Sequence, residues 1–137
     1  MSLLQISHQY PSKVSELLWE VDVVHGDFPR KRDCIRCKGI WDTGASNTSV
    51  VTGIVEALKL RQLPLPPKYV NTANGVFESH AYAAYISLNA EYAPLRMIVW
   101  DMPPGDMDVL IGMDIICRGR FEVYSLGDKT IMRFMMP

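Results

Sequence analysis

The chain has 137 residues, enough for one domain with a single core and short for two independent ones. Its 14 Lys and Arg against 15 Asp and Glu leave a net charge of −1, which argues against a basic field that would hold nucleic acid through its phosphates. No window approaches the ~20 apolar residues of a membrane helix, and Met1–Tyr10 lacks a cationic lead before an apolar stretch, so a soluble, cytoplasmic protein is expected.

Residues 1–16 read as an N-terminal extension and 17–137 as the domain. Ser2–Ser15 is expected to pack on a partner, to cover a site, or to be a processed leader. Nine Gly and nine Pro are scattered as punctuation between many short elements, the pattern of a mostly β chain. Leu17–Val24 alternates Trp19, Val21 and Val23 against Glu20 and Asp22, the period of a half-buried strand, and His25-Gly26-Asp27-Phe28-Pro29 is expected to turn it. Cys34–Trp41 reads as a second strand running into Asp42, which the small residues Gly44, Ala45, Ser46 and Asn47 then break. Thr52 is placed to cap a short helix over about Gly53–Lys59, whose Ile54, Val55 and Leu58 make one apolar stripe. Pro64, Pro66 and Pro67 exclude helix beyond it.

Tyr69–Thr72 and Phe77–Leu88 flank Ala73-Asn74-Gly75-Val76, where Asn-Gly between extended runs signals a projecting hairpin. Leu95–Trp100 alternates Leu95, Met97 and Val99 against Arg96, Ile98 and Trp100. Pro103-Pro104-Gly105 forces a loop before the apolar strand Val109-Leu110-Ile111, which Gly112 ends. Met113–Cys117 reads as a short helical turn, and Phe121–Tyr124 with Thr130–Phe134 as a terminal hairpin. The expected architecture is all-β with one or two short helices.

Three cysteines are an odd number and suit reduced thiols better than a disulfide framework. Cys34-Ile35-Arg36-Cys37 is half of a zinc pattern, but Cys117, His8, His25 and His80 supply no second pair at ligand spacing. Neither metal nor cofactor is expected.

Three features in order carry the chemistry: an apolar strand ending in Asp42-Thr43-Gly44-Ala45-Ser46, a hairpin about thirty residues later, and Asp108-Val109-Leu110-Ile111-Gly112-Met113-Asp114. A carboxylate on a rigid strand end, followed by a small hydroxyl residue and a glycine, is open to backbone amides and to a substrate. In these residues, from about Leu17 to Met136, the sequence resembles the retropepsin-like aspartic proteases and in particular their bacterial and cellular branch. The resemblance implies a closed acid-protease barrel with a flap hairpin, acting as a homodimer on a peptide or protein substrate. The chain has one Asp-Thr-Gly, so the second carboxyl of the dyad would come from another copy across a two-fold axis.

By matching position, the resemblance makes Asp42 the catalytic aspartate, with Thr43 and Gly44 supporting the site. Gly44, Ala45 and Asn47 would bind substrate, as would Asn74, Gly75 and Val76 at the hairpin tip and Leu110 and Ile111 on the inner wall. Gly112 would let the chain cross behind the aspartate strand. The apolar terminal strand, Ile131, Met132, Phe134, Met135 and Met136, would lie in the sheet between subunits. Viral members carry Arg directly after the glycine that matches Gly112. This chain has Met113 and then Asp114, an acid that reads as a cap or a structural partner ahead of a functional group. Its hairpin is also poorer in glycine than viral flaps. The alternative of another class is a catalytically silent dimerisation or peptide-binding module with the same groove.

Overall fold

The structure is a computed structural model that describes residues 3–25 and 33–137. Among the described residues, eleven strands and two short helices follow in order: β1 Leu4–Tyr10, β2 Leu17–His25, β3 Cys34–Trp41, β4 Ser49–Val51, α1 Thr52–Ala57, β5 Lys68–Thr72, β6 Gly75–Ser79, β7 Ala81–Ser87, β8 Leu95–Met102, β9 Val109–Ile111, α2 Met113–Ile116, β10 Arg120–Leu126 and β11 Lys129–Met136. Six strands close into a barrel in the order β2-β3-β9-β4-β8-β7, and closure leaves no unpaired edge on that sheet. β1, β11 and β10 form a three-stranded sheet, and β5 and β6 form a separate hairpin. The turn expected at His25–Pro29 lies, beyond His25, outside the described residues.

The alternation read in β2 and β8 is the inside and outside of the barrel. Val21, Val23, Met97 and Val99 are buried with Val50, Ile86, Val109 and Ile111, whereas Glu20, Arg96 and Ile98 are exposed. Trp41, the residue before Asp42, is buried in an aromatic cluster with Trp19, Phe121 and Phe134, which ties the end of β3 to the second sheet.

Residues of the N-terminal extension form β1, antiparallel to β11 of the same chain from Leu4↔Met136 to Tyr10↔Thr130, and bury Leu4, Ile6 and Tyr10. β11 is thereby the middle strand of its sheet, and Ile131, Met132 and Phe134, read as needing a second chain, are covered by this one.

Three local expectations need correction. Thr52 does not cap α1: it is the first helical residue, and the N-cap is Val51, extended and without a side-chain cap bond. β4 runs directly into the helix, and burying Val51 in the core decides the junction over a cap hydroxyl. The helix ends early, at Ala57, because Lys59 adopts a left-handed conformation (φ 52°) and Leu60 N–H donates back to the Val55 carbonyl. The run Phe77–Leu88 is not one strand. At His80 the N–H donates to Asp101 Oδ1 at 2.7 Å and Ser79 Oγ donates to the Asp101 carbonyl, so the chain leaves the hairpin and enters the barrel.

Candidate active site

Asp42 stands where β3 ends. β9 runs parallel to β3, pairing Gly39↔Val109, Ile40↔Leu110 and Trp41↔Ile111, and the bond from Asp42 N–H to the Ile111 carbonyl (2.9 Å) extends that ladder by one residue. The backbone then turns, with Ala45 N–H donating to the Asp42 carbonyl at 3.2 Å. Gly44 N–H donates to Asp42 Oδ1 at 2.9 Å and fixes the carboxylate rotamer. A side chain at Gly44 would begin 3.2 Å from that same oxygen, so glycine keeps this face of the carboxylate uncrowded. Thr43, Gly44 and Ser46 are exposed, and Asp42, Ala45 and Asn47 are partly so: the loop is held from below and open above.

What holds it is the segment after β9. Met113 N–H donates to the Ala45 carbonyl at 2.8 Å, and Gly112 passes so close that a Cβ there would lie 2.6 Å from the Asn47 carbonyl carbon and oxygen. Asp114 completes the clamp. Its Oδ2 accepts from Thr48 N–H at 2.8 Å and its Oδ1 from Thr48 Oγ1 at 2.7 Å, while Thr48 Oγ1 accepts from Gly112 N–H at 3.2 Å. Thr48 is fully buried and each of its polar side-chain bonds is satisfied. Asp114 is therefore a structural partner, as its place after a glycine suggested. Thr48 was missed, because a threonine in a loop carries no sign in sequence that its hydroxyl will be buried.

Other carboxylates near these strands are also engaged by backbone. Asp108 Oδ2 accepts from Lys38 N–H at 2.9 Å, with Asp108 N–H returning a bond to the Lys38 carbonyl, and Asp101 Oδ1 holds His80. Asp42 is distinguished by the exposed loop on which it stands.

The residues singled out from sequence fall into two groups. Asp42, Thr43, Gly44, Ala45 and Asn47 share one loop, backed by Leu110 and Ile111. Ile111 is fully buried, and only the half-buried Leu110 presents surface. Asn74, Gly75 and Val76 sit on the separate hairpin. Its turn residues are Ala73 and Asn74, braced by Thr72 Oγ1, which accepts from Asn74 N–H and donates to the Gly75 carbonyl. Gly75 follows at φ 111°, the conformation that requires glycine here. Val76, Tyr69 and Val70 are uncovered on this hairpin, with 67% of Val76 exposed. No hydrogen bond among the described residues ties the tip to the Asp42 loop.

Cys34 and Cys37 are three apart on β3, so they project to opposite faces of the strand. Burial, with Asp108 and Asp22 adding to it, pushes the Cys37 thiol up to about 12. No group of three or more His, Cys, Asp or Glu among the described residues is arranged to hold a metal. No helix among them is long and apolar enough to cross a membrane.

No family model matches the sequence, and no curated protein does. Solved structures do match the fold. A retropepsin-like aspartic protease from Rickettsia conorii superposes with a TM-score of 0.56 at 13% identity, covering 100% of this chain and 98% of that one. The EIAV protease, complexed with the inhibitor HBY-793, gives 0.50 at 19% identity over 75% of this chain and 86% of its own.

Proposed function

We propose that this chain, which has the retropepsin-like fold, is one half of a homodimeric aspartic endopeptidase in which two Asp42 carboxyls activate a water. The observation that carries the reading is the Asp42 loop: a carboxylate fixed through one oxygen by Gly44 N–H on an open loop, whereas both oxygens of Asp114 are taken by the buried Thr48. A lone carboxylate is a poor catalyst of peptide hydrolysis, since the water needs a base while the carbonyl oxygen needs an acid. Two carboxyls about 3 Å apart share one proton because both cannot ionise, and the pair then supplies both functions. With Asp114 committed to Thr48, the second carboxyl comes from a second copy, and the exposed Thr43 and Gly44 are available for that contact.

In this reading the ionised Asp42 takes a proton from the water as it attacks the scissile carbonyl, and the protonated partner gives its proton to the carbonyl oxygen. The C–N bond of the resulting diol then breaks as the now protonated Asp42 gives its proton to the leaving nitrogen and the ionised partner takes one from a diol hydroxyl, which restores the dyad's single shared proton. The β5–β6 hairpin serves as the flap: its uncovered Val76 and Tyr69 would be buried against an extended peptide, excluding water from the reaction. Gly44, Ala45, Asn47 and Leu110 line the remainder of the cleft. Neither metal nor cofactor takes part.

The test uses Asp42→Asn, which keeps the oxygen that accepts from Gly44 N–H but cannot ionise. The variant should fold, pair and fail to cleave. When wild-type and variant chains are unfolded together in equal amounts and refolded, random pairing leaves about a quarter of the dimers with two native aspartates. Activity is expected to fall with the square of the wild-type share. A linear fall to half would show that one Asp42 suffices. A wild-type chain that cleaves no denatured protein from mildly acidic to neutral pH would leave a silent peptide-binding module.

A further inference from the structure

A second surface adjoins the Asp42 loop on the outside of the barrel. Its floor is the outward face of β8, where Ile98 and Trp100 alternate with the buried Met97 and Val99, and Ile98 is 48% exposed. One wall is the extended segment 61–65, which bonds along β7 through Leu63 N–H to the Ala81 carbonyl and Ala83 N–H to the Arg61 carbonyl. Asn47 and Arg118 border the groove, and Lys68 at the base of the hairpin lies over the Trp100 ring at 4.2 Å.

The charge in this groove is one-sided. Arg61, Lys68, Arg96 and Arg118 line it against a single acid, Asp114, whose two oxygens are already taken by Thr48. Away from this groove, Arg36 pairs with Asp22 and Glu20, and Arg120 with Glu122. Lys68, Arg96 and Arg118 make no ion pair among the described residues. In a chain whose net charge is −1, such a concentration over an apolar floor matches a ligand that is acidic along an extended, partly apolar backbone.

Resting on the endopeptidase reading, we infer that this groove selects substrates carrying acidic side chains on the stretch of peptide that leaves the cleft past Asn47. The apolar floor accepts the body of the peptide, while the rim cations meet its carboxylates and raise its local concentration at the site. Specificity of this kind lies outside the catalytic pair, so the two proposals separate experimentally.

Binding is measured by fluorescence anisotropy on the full-length Asp42→Asn chain, with a labelled extended peptide bearing several glutamates and the same peptide with glutamines. The glutamate peptide is expected to bind about tenfold tighter at low salt, with the difference collapsing near ~0.5 M salt. Combining Lys68→Gln, Arg96→Gln and Arg118→Gln should bring the two affinities together. If that triple variant misfolds, a lysine version of the peptide on the unaltered groove decides: it must bind more weakly than the glutamine peptide. Equal affinities for the glutamate and glutamine peptides, or a preference indifferent to salt, would overturn the inference even where the wild-type chain cleaves peptides. Acid preference in binding, with no cleavage by the wild-type chain, would uphold the groove and remove the catalytic reading.

Discussion

Gly112→Ala probes how the aspartate loop is held. The backbone there has φ −92° and ψ −176°, which alanine adopts without strain, so any cost is steric. The new Cβ would lie 2.6 Å from the carbonyl carbon and oxygen of Asn47 and 2.9 Å from the Ala45 carbonyl oxygen. All three are backbone atoms, so no side-chain rotation relieves them. Moving them means stretching the bond from Met113 N–H to the Ala45 carbonyl or the pair between Thr48 and Asp114. Overpacking costs ~1–3 kcal/mol, and a clash confined to backbone belongs at the upper end, about 3 kcal/mol. For a domain of this size that corresponds to a melting temperature lower by roughly 10 °C. Gly105→Ala is the matched control: nothing lies within 4 Å of its added Cβ, and it should be neutral or gain up to ~1 kcal/mol through the unfolded chain. Urea unfolding of the three proteins makes the comparison. A Gly112→Ala chain within ~0.5 kcal/mol of wild type would show that the crossing behind the aspartate is looser than described.

Thr48→Val keeps the shape but removes the hydroxyl that bonds Asp114 Oδ1 and Gly112 N–H, and it should cost ~1–3 kcal/mol in urea unfolding; an unchanged midpoint would mean water replaces the hydroxyl. Phe134→Ala, at a fully buried position in the middle strand of the second sheet, should cost ~3–5 kcal/mol within the single chain, measurable as a loss that does not depend on protein concentration. Cys37 sets a pH dependence: its thiol is raised from 9.0 to about 12, chiefly by burial, so the folded state holds the proton more tightly than the unfolded state. Its contribution is complete below 9.0 and is lost as pH rises toward about 12. Cys37→Ala should show a shallower alkaline decline in stability across that window, and parallel curves for the two proteins would refute the assignment.

Much of the fold was legible in the residues because local chemistry and the tertiary arrangement agree. The period-two runs in β2 and β8 give their buried faces directly, and Cys34–Trp41 is a strand with the bounds read from sequence. Asp42 at its end follows from the small residues that cannot continue it, and the terminal hairpin from its apolar runs on either side of Gly127. The errors are local too. A hydroxyl at Thr52 looks like a cap until the burial of Val51 is known, and nothing between Phe77 and Leu88 marks the break at His80, which is made by Asp101 twenty-one residues away.

The sequence by itself determined which residue is the candidate acid, which elements surround it and that one chain carries one such motif, since these depend on residue type, order and spacing. Only the tertiary structure decided that Asp114 belongs to Thr48, that β1 pairs with β11 of its own chain, and that four cations from separate segments border one groove. Each of those arises from long-range folding, which brings together groups tens of residues apart whose pairing no local pattern encodes.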